Sequence, residues 1–216
     1  MKDSELFYYL KHKKDWKKIE NLSHEVNYFI SASDKTVSLY FQESDGVKDW
    51  KDNLNFLPTA LSFSPSKLYR TSKNPLIVHR GFKKEYRSAN DQIMEELISK
   101  IKEIEAINVI IGGWSNGAAM AVLACEDLFF RTGIKPTLIS FGCPKVCFNK
   151  KTAKYIKSCC SEIREYCNNN DIVTKVPFIG RHLNAIKVGD KFNLKKIFDP
   201  WKYHTTYDTV LGSMGL

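Results

Sequence analysis

Several things are missing from this 216-residue chain, and each absence removes a class of protein. Met1 to Lys18 is polar and lysine-rich, with no apolar stretch beyond Leu6 to Leu10, so no secretory leader is read there. Its 7 prolines form no linker, and no repeat or low-complexity tract interrupts the chain, so one compact domain over 1–216 is expected. The 6 cysteines (Cys125, Cys143, Cys147, Cys159, Cys160 and Cys167) lack zinc-knuckle spacing, and the chain is not a small secreted scaffold. Reduced, mostly buried thiols are expected.

Long apolar runs are scarce as well. Ala106 to Phe130 approaches bilayer-spanning length, but a membrane helix there would carry Asn108, Ser115 and Asn116 and a Gly112-Gly113 break in mid-bilayer. A buried strand, a turn and a buried helix account for all of these. Acidic charge is in deficit, 24 Asp and Glu against 33 Lys and Arg, a net +9. Lysines gather at Lys11, Lys13, Lys14, Lys17 and Lys18 and again at Lys150, Lys151, Lys154 and Lys157. A solvated surface is the simpler reading, and peripheral contact with an anionic membrane surface is the alternative. The aromatics form no stacking platform, so nucleic acid is not an expected partner. A cytoplasmic or membrane-peripheral place is expected, and oligomeric state is left open.

Against these absences one stretch stands out, Gly113-Trp114-Ser115-Asn116-Gly117. An apolar run, Ile107 to Ile111, leads into it and an alanine-rich apolar pattern leaves it, the setting of a nucleophile elbow. In such a strand-to-helix turn the serine takes strained backbone angles, and a β-carbon at either flanking glycine would strike a neighbour. Apolar residues recur at helical spacing from Asn90 to Glu105. A strand over Ile107 to Ile111, a helix from Asn116 to Arg131 and a strand over Pro136 to Phe141 then make a parallel strand-helix-strand unit. Earlier, His24 to Ser31 and Thr36 to Phe41 read as a hairpin. Later, Lys150 to Cys160 reads as a helix, Glu162 to Cys167 as a strand, and Asn184 to Phe192 as a strand broken by Gly189. The fold class expected is α/β, with a mostly parallel central sheet and helices on both faces.

A serine hydroxyl needs a general base, and the base needs a carboxylate to hold its tautomer. In the α/β-hydrolase order of Ser, Asp or Glu, then His, the chain offers Ser115, Asp171 and His204. After three asparagines, Asp171 could be a turn residue, but its place at a strand end ahead of Ile172-Val173 and Pro177 favours a functional part. His204 competes with His182, which also follows Asp171. His12, His24 and His79 precede the serine and are out of order.

From Thr36 to Met214 the sequence resembles the class 3 lipases, the family of fungal triacylglycerol lipases and feruloyl esterases. Leu39-Tyr40-Phe41-Gln42-Glu43-Ser44 resembles the strand that ends at the oxyanion-hole residue, and Asp49 to Leu54 the lid segment after it. Val78-His79-Arg80-Gly81-Phe82 is similar to Val-His-x-Gly-Phe, and Phe141-Gly142-Cys143-Pro144-Lys145-Val146 to Phe-Gly-x-Pro-Arg-Val. Asp171 to Pro177 resembles Asp-Ile-Val-Pro-x-Leu-Pro, which contains the triad aspartate, and His204-Thr205-Thr206-Tyr207 the His-x-x-Tyr of the base. His182 falls where the family often has a non-catalytic histidine. The chain departs from the pattern at Gln42-Glu43, where Arg-Gly is usual, and at Trp114, where His is usual.

The resemblance implies an α/β-hydrolase fold and a lipase or phospholipase that cleaves lipid esters through an acyl-serine. Ser115, His204 and Asp171 would form the triad, and backbone N–H groups of Ser44 and Asn116 the oxyanion hole; no metal or organic cofactor is expected. Val47, Trp50, Leu54, Phe56 and Leu57 make an apolar stripe after Ser44. It reads as core or, given the resemblance, as a lid over 44–57. A small soluble-ester hydrolase or thioesterase is the alternative within enzymes, and a catalytically silent, membrane-binding hydrolase fold the alternative outside them.

Overall fold

The computed structural model describes residues 1–20, 25–42, 57–61, 76–194 and 200–216. Their centre is a seven-stranded sheet. Its strands are β1 (Lys17–Glu20), β2 (Glu25–Ser33), β3 (Thr36–Phe41), β6 (Asn108–Trp114), β7 (Thr137–Phe141), β8 (Glu162–Asn168) and β9 (Ala185–Val188), in that spatial order. β1, β2 and β3 pair antiparallel, and β3, β6, β7, β8 and β9 run parallel. Two short strands, β4 (Pro58–Ala60) and β5 (Ile77–His79), form a separate antiparallel pair.

The parallel strands need crossovers; α-helices supply those from β3 through β8, and a loop with a 3-10 turn at Val173–Lys175 connects β8 to β9. Helices α2 (Arg80–Arg87), α3 (Asn90–Glu103), α4 (Asn116–Thr132) and α5 (Lys150–Ser158) cover one face. There Tyr86, Ile93, Leu97, Leu123 and Ile156 pack with Leu39, Ile111 and Leu138 of the strands. Alternate strand residues face the other way: Tyr40, Ile139, Phe141 and Tyr166 pack with Leu6, Phe7 and Leu10 of α1 (Asp3–His12) and with Tyr207 and Leu211 of α7 (Tyr207–Ser213). A five-residue helix, α6 (Pro200–His204), precedes α7. Helices therefore lie on both faces of a mostly parallel sheet, as expected.

Strand β6 runs through Gly112-Gly113 to Trp114 instead of stopping at Ile111, because Phe41 pairs with Gly113 and Phe141 with Trp114. Its first predicted residue, Ile107, lies outside the strand and is exposed. β9 is shorter than read, since Gly189 at φ 77 ends it. Helix α1 was not legible. Its apolar run Leu6 to Leu10 is short and includes Tyr8 and Tyr9, which blur the three- and four-residue spacing by which Leu6, Phe7 and Leu10 bury one face. Asp3 anchors it through Arg164 Nη1 at 2.7 Å and Tyr166 Oη at 2.7 Å, and Ser4 Oγ donates to the Leu216 carbonyl at 2.5 Å.

Among the described residues no helix is long and apolar enough to cross a membrane, and Ala106 to Phe130 is divided between β6, the turn and α4. All six cysteines are buried free thiols.

Candidate active site

Ser115 sits between β6 and α4 with φ 57 and ψ −123, a conformation that costs a non-glycine residue roughly 1–3 kcal/mol. Close packing imposes it. A β-carbon on Gly113 would lie 2.6 Å from the carbonyl carbon of Gly117, and one on Gly117 would lie 2.5 Å from the carbonyl oxygens of Phe41 and Gln42. Strand and helix can meet this tightly only through glycine. The Ser115 N–H donates to the Phe141 carbonyl at 3.0 Å, which ties the turn to the end of β7. Its Oγ is buried and has no hydrogen-bond partner among the described residues.

Asp171 follows β8, in the loop where parallel sheets collect functional groups. Asn168 Oδ1 accepts from Asn170 N at 3.1 Å, and Asn170 Oδ1 from Asn193 N at 2.8 Å, so these asparagines brace the loop. The Asp171 carboxylate is fully buried. Oδ1 accepts from Val173 N at 2.9 Å; Oδ2 accepts from Tyr207 Oη at 2.8 Å and from His204 Nδ1 at 2.8 Å. Both members of the His204–Asp171 pair are 0 % exposed.

The serine's neighbours reach the same imidazole. Trp114 Nε1 donates to the His204 carbonyl at 3.1 Å, and the two rings lie 5.3 Å apart. Gly142 follows the residue that accepts from Ser115 N; its φ is 58, and a β-carbon there would fall 2.7 Å from His204 Cε1 and 3.0 Å from Asp171 Oδ2. Ser115, Asp171 and His204 thus meet at one buried place. Asn116 is the first residue of α4, at the positive end of its dipole, and its side chain is engaged elsewhere, Nδ2 donating to Glu85 Oε1 at 2.7 Å.

His182 lies apart from this arrangement. Its Nδ1 meets Glu165 Oε1 at 2.8 Å and its Nε2 meets the Thr174 carbonyl at 2.8 Å. Both nitrogens face acceptors, so both carry protons. Burial alone would lower the imidazole pKa, but the contacts with Cys167 and the Glu165 carboxylate push it up to about 10. A permanent cation of this kind holds a loop in place and is a poor base.

Ser44, Val47, Trp50 and Leu54 lie outside the described residues; of the 44–57 segment only Leu57 is described, and it is exposed. Two residues at the site were not singled out for the parts they play. Tyr207 was read only as the end of His-x-x-Tyr, yet its hydroxyl donates to Asp171 and accepts from Asn168 N at 2.9 Å. Trp114 was noted only as a departure, and its indole fills the space beside His204.

The sequence matches the family described as Lipase (class 3) over residues 38–181, more than half of the chain. A lipase of Rhizomucor miehei is 27% identical over 162 residues, 72% of this chain and 42% of that protein. A chloroplastic phospholipase A(1) of Arabidopsis thaliana is 31% identical over 156 residues, 66% of this chain and 34% of that one. The chain therefore spans less than half the length of these curated relatives. A solved structure of the Rhizomucor miehei lipase in complex with its propeptide shares the fold, with a TM-score of 0.69 at 23% identity over 87% of this chain and 67% of that one. On the match over residues 38–181, the chain belongs to the class 3 lipases.

Proposed function

We propose that this chain hydrolyses carboxylic esters of lipids through an acyl-serine, with Ser115 as nucleophile, His204 as general base and Asp171 as the group that orients the base. The observation that carries the reading is the fully buried His204–Asp171 hydrogen bond at 2.8 Å, beside a serine held at φ 57. With Nδ1–H on Asp171, the imidazole presents Nε2 as a base for the Ser115 proton. Attack on the ester carbonyl forms the serine ester bond, and the proton passes from His204 to the departing alcohol. Water then attacks the acyl-serine, giving its proton to His204, and the carboxylic acid leaves as the Ser115 hydroxyl re-forms.

Oxyanion stabilisation is assigned to the N–H of Asn116, at the start of α4, with Ser44 as the second donor. The Gln42 carbonyl lies against Gly117, so the chain leaves β3 beside that helix end, which supports the part given to Ser44. Lipid as the ester class is supported by the curated relatives, named a lipase and a phospholipase A(1).

A fluorophosphonate should label Ser115 alone, and Ser115→Ala should fold without reacting. A label on another serine, or full esterase activity in Ser115→Ala, would overturn the assignment. Rates on triglyceride, phospholipid and short soluble esters should favour the lipids; the reverse order would identify a soluble-ester hydrolase.

A further inference from the structure

The loop that follows Asp171 carries a feature the proposed reaction does not use. Phe178 and Ile179 are 82 % and 67 % exposed, side by side at its tip, while Thr174, Pro177 and Gly180 around them are buried. One exposed apolar residue is ordinary. Two at the apex of a braced loop are not. Lys145 N donates to the Val176 carbonyl at 2.9 Å on one side of the tip, and Arg181 N to the Cys147 carbonyl at 2.8 Å on the other. His182 Nε2 donates to the Thr174 carbonyl below them at 2.8 Å. The backbone is tied before and after the tip, so the apolar pair is presented to solvent on a fixed base.

Positive charge lies beside this tip, on Lys145 and Arg181. Gly180 packs so tightly on Lys145 that a β-carbon would lie 2.8 Å from the lysine Cβ. Burial lowers the Lys145 pKa, and Arg181 and Lys187 lower it further. Lys175 is lowered by burial and then by Lys187 and Lys145, with Asp171 opposing. Lys145 therefore lies within electrostatic reach of Arg181 and Lys187, and Lys175 within reach of Lys187 and Lys145. Among the described residues none of them forms an ion pair, and Lys175 is held by the Asn169 carbonyl at 2.7 Å. They come from three separate stretches of chain, and none belongs to either lysine cluster visible in the sequence.

We propose that Phe178 and Ile179, with Lys145 and Arg181 beside them and Lys175 and Lys187 near Lys145, form a docking surface for anionic phospholipid membranes. An apolar wedge beside clustered cations matches a layer of phosphates over acyl chains: the side chains enter the boundary while the charges stay at headgroup level. A nucleic acid would satisfy the cations and leave the wedge in water. The purpose of the docking rests on the proposed hydrolase, since it holds the loop bearing Asp171 against lipid.

The test uses the whole 216-residue chain carrying Ser115→Ala, which cannot consume the lipid, sedimented with vesicles of phosphatidylcholine alone or with about 30 % phosphatidylglycerol. Binding should be at least about tenfold tighter to the anionic vesicles and should fall in about 0.5 M salt. Adding Arg181→Gln and Lys187→Gln should weaken binding to them about 30-fold, two surface cations being lost. Phe178→Ser with Ile179→Ser should weaken it about tenfold or more. All four side chains are exposed, so the unfolding midpoints should match the parent's. Equal binding to both vesicles, or no effect of removing the cations, would overturn the proposal. So would tighter binding to duplex oligonucleotide than to anionic vesicles, unaffected by the tip change. A soluble ester, with Ser115 intact, tests the other claim separately. Hydrolysis by a protein indifferent to phosphatidylglycerol defeats the docking surface alone, and anionic-vesicle binding without hydrolysis of any ester defeats only the proposed function.

Discussion

Tyr207→Phe removes a single oxygen atom from the centre of the site. The ring should stay where it is, packed against Phe7 at 5.4 Å and Phe141 at 6.2 Å between centroids. What goes is one donor to Asp171 Oδ2 at 2.8 Å and one acceptor for Asn168 N at 2.9 Å. Burial and the Asp171 carboxylate hold the phenol pKa well above 10, so the hydroxyl is a donor at every working pH. A hydrogen bond to a charged group is worth about 1.5–3 kcal/mol, and a buried N–H left without an acceptor costs about 1–3 kcal/mol. Asp171 keeps His204 and Val173 as donors, which limits the first effect. The expected loss is about 2–4 kcal/mol of stability, read by urea unfolding, or about 5–15 °C in melting temperature. On a soluble ester kcat should fall about tenfold, near 1.4 kcal/mol, because Asp171 loses one restraint while His204 stays in place. In an Asp171→Ala background the hydroxyl has no carboxylate to orient, so the two changes should couple by about 1 kcal/mol or more. A Tyr207→Phe protein within about 0.5 kcal/mol of wild type, with kcat unchanged, would refute the reasoning.

The two histidines should separate by readout: His204→Ala should lower kcat about 10³-fold or more, while His182→Ala should alter kcat modestly. His182→Ala should instead cost about 3–5 kcal/mol in urea unfolding by leaving Glu165 buried and unpaired; the opposite pattern would reassign the base. Gly117→Ala, whose β-carbon meets two carbonyl oxygens at 2.5 Å, should lose about 3 kcal/mol or fail to fold, and a normal melting curve would contradict the tight elbow. Glu126 is buried in α4, and burial raises its pKa from 4.5 to about 7, with Asp127 adding to the rise and Tyr155 opposing it. Its folded-state pKa lies above the unfolded one, so the unfolded chain loses the proton first and stability falls as pH rises from about 4.5 to 7, by up to about 3 kcal/mol. Glu126→Gln should flatten that part of the stability curve, and an unchanged curve would assign the dependence to another group.

The site was legible where chemistry and backbone geometry coincide in a few adjacent residues. Gly113 to Gly117 declared a strand-to-helix turn because only glycine tolerates those approaches, and the structure places backbone atoms at both sites. Ser115, Asp171 and His204 could be placed by residue order, with His204 preferred to His182 on the family resemblance, and the parallel strand-helix-strand unit could be read from periodicity. Residues acting through a partner far along the chain were hidden. Tyr207 reaches Asp171 across 36 positions and Asn116 reaches Glu85 across 31, and nothing local in either residue names the other. Helix α1 escaped because three buried apolar residues in a ten-residue stretch are too few to set a pattern; Arg164 and Tyr166 of β8 complete it.

By itself the sequence determined the α/β alternation, the elbow and the residue types that the proposed acyl transfer uses, since these can be read from local spacing and residue order. Residue order left both His182 and His204 open and the family resemblance chose His204; the path of the chain then sets His204 on Asp171 and carries His182 to Glu165. Tertiary structure alone decided where charge gathers: Lys145, Lys175, Arg181 and Lys187 are scattered in sequence and come near one another through Lys145 when the loops after β7 and β8 pack together and β9 pairs with β8. Electrostatic and hydrogen-bond energies depend on distance in space, and the chain sets that distance only by folding.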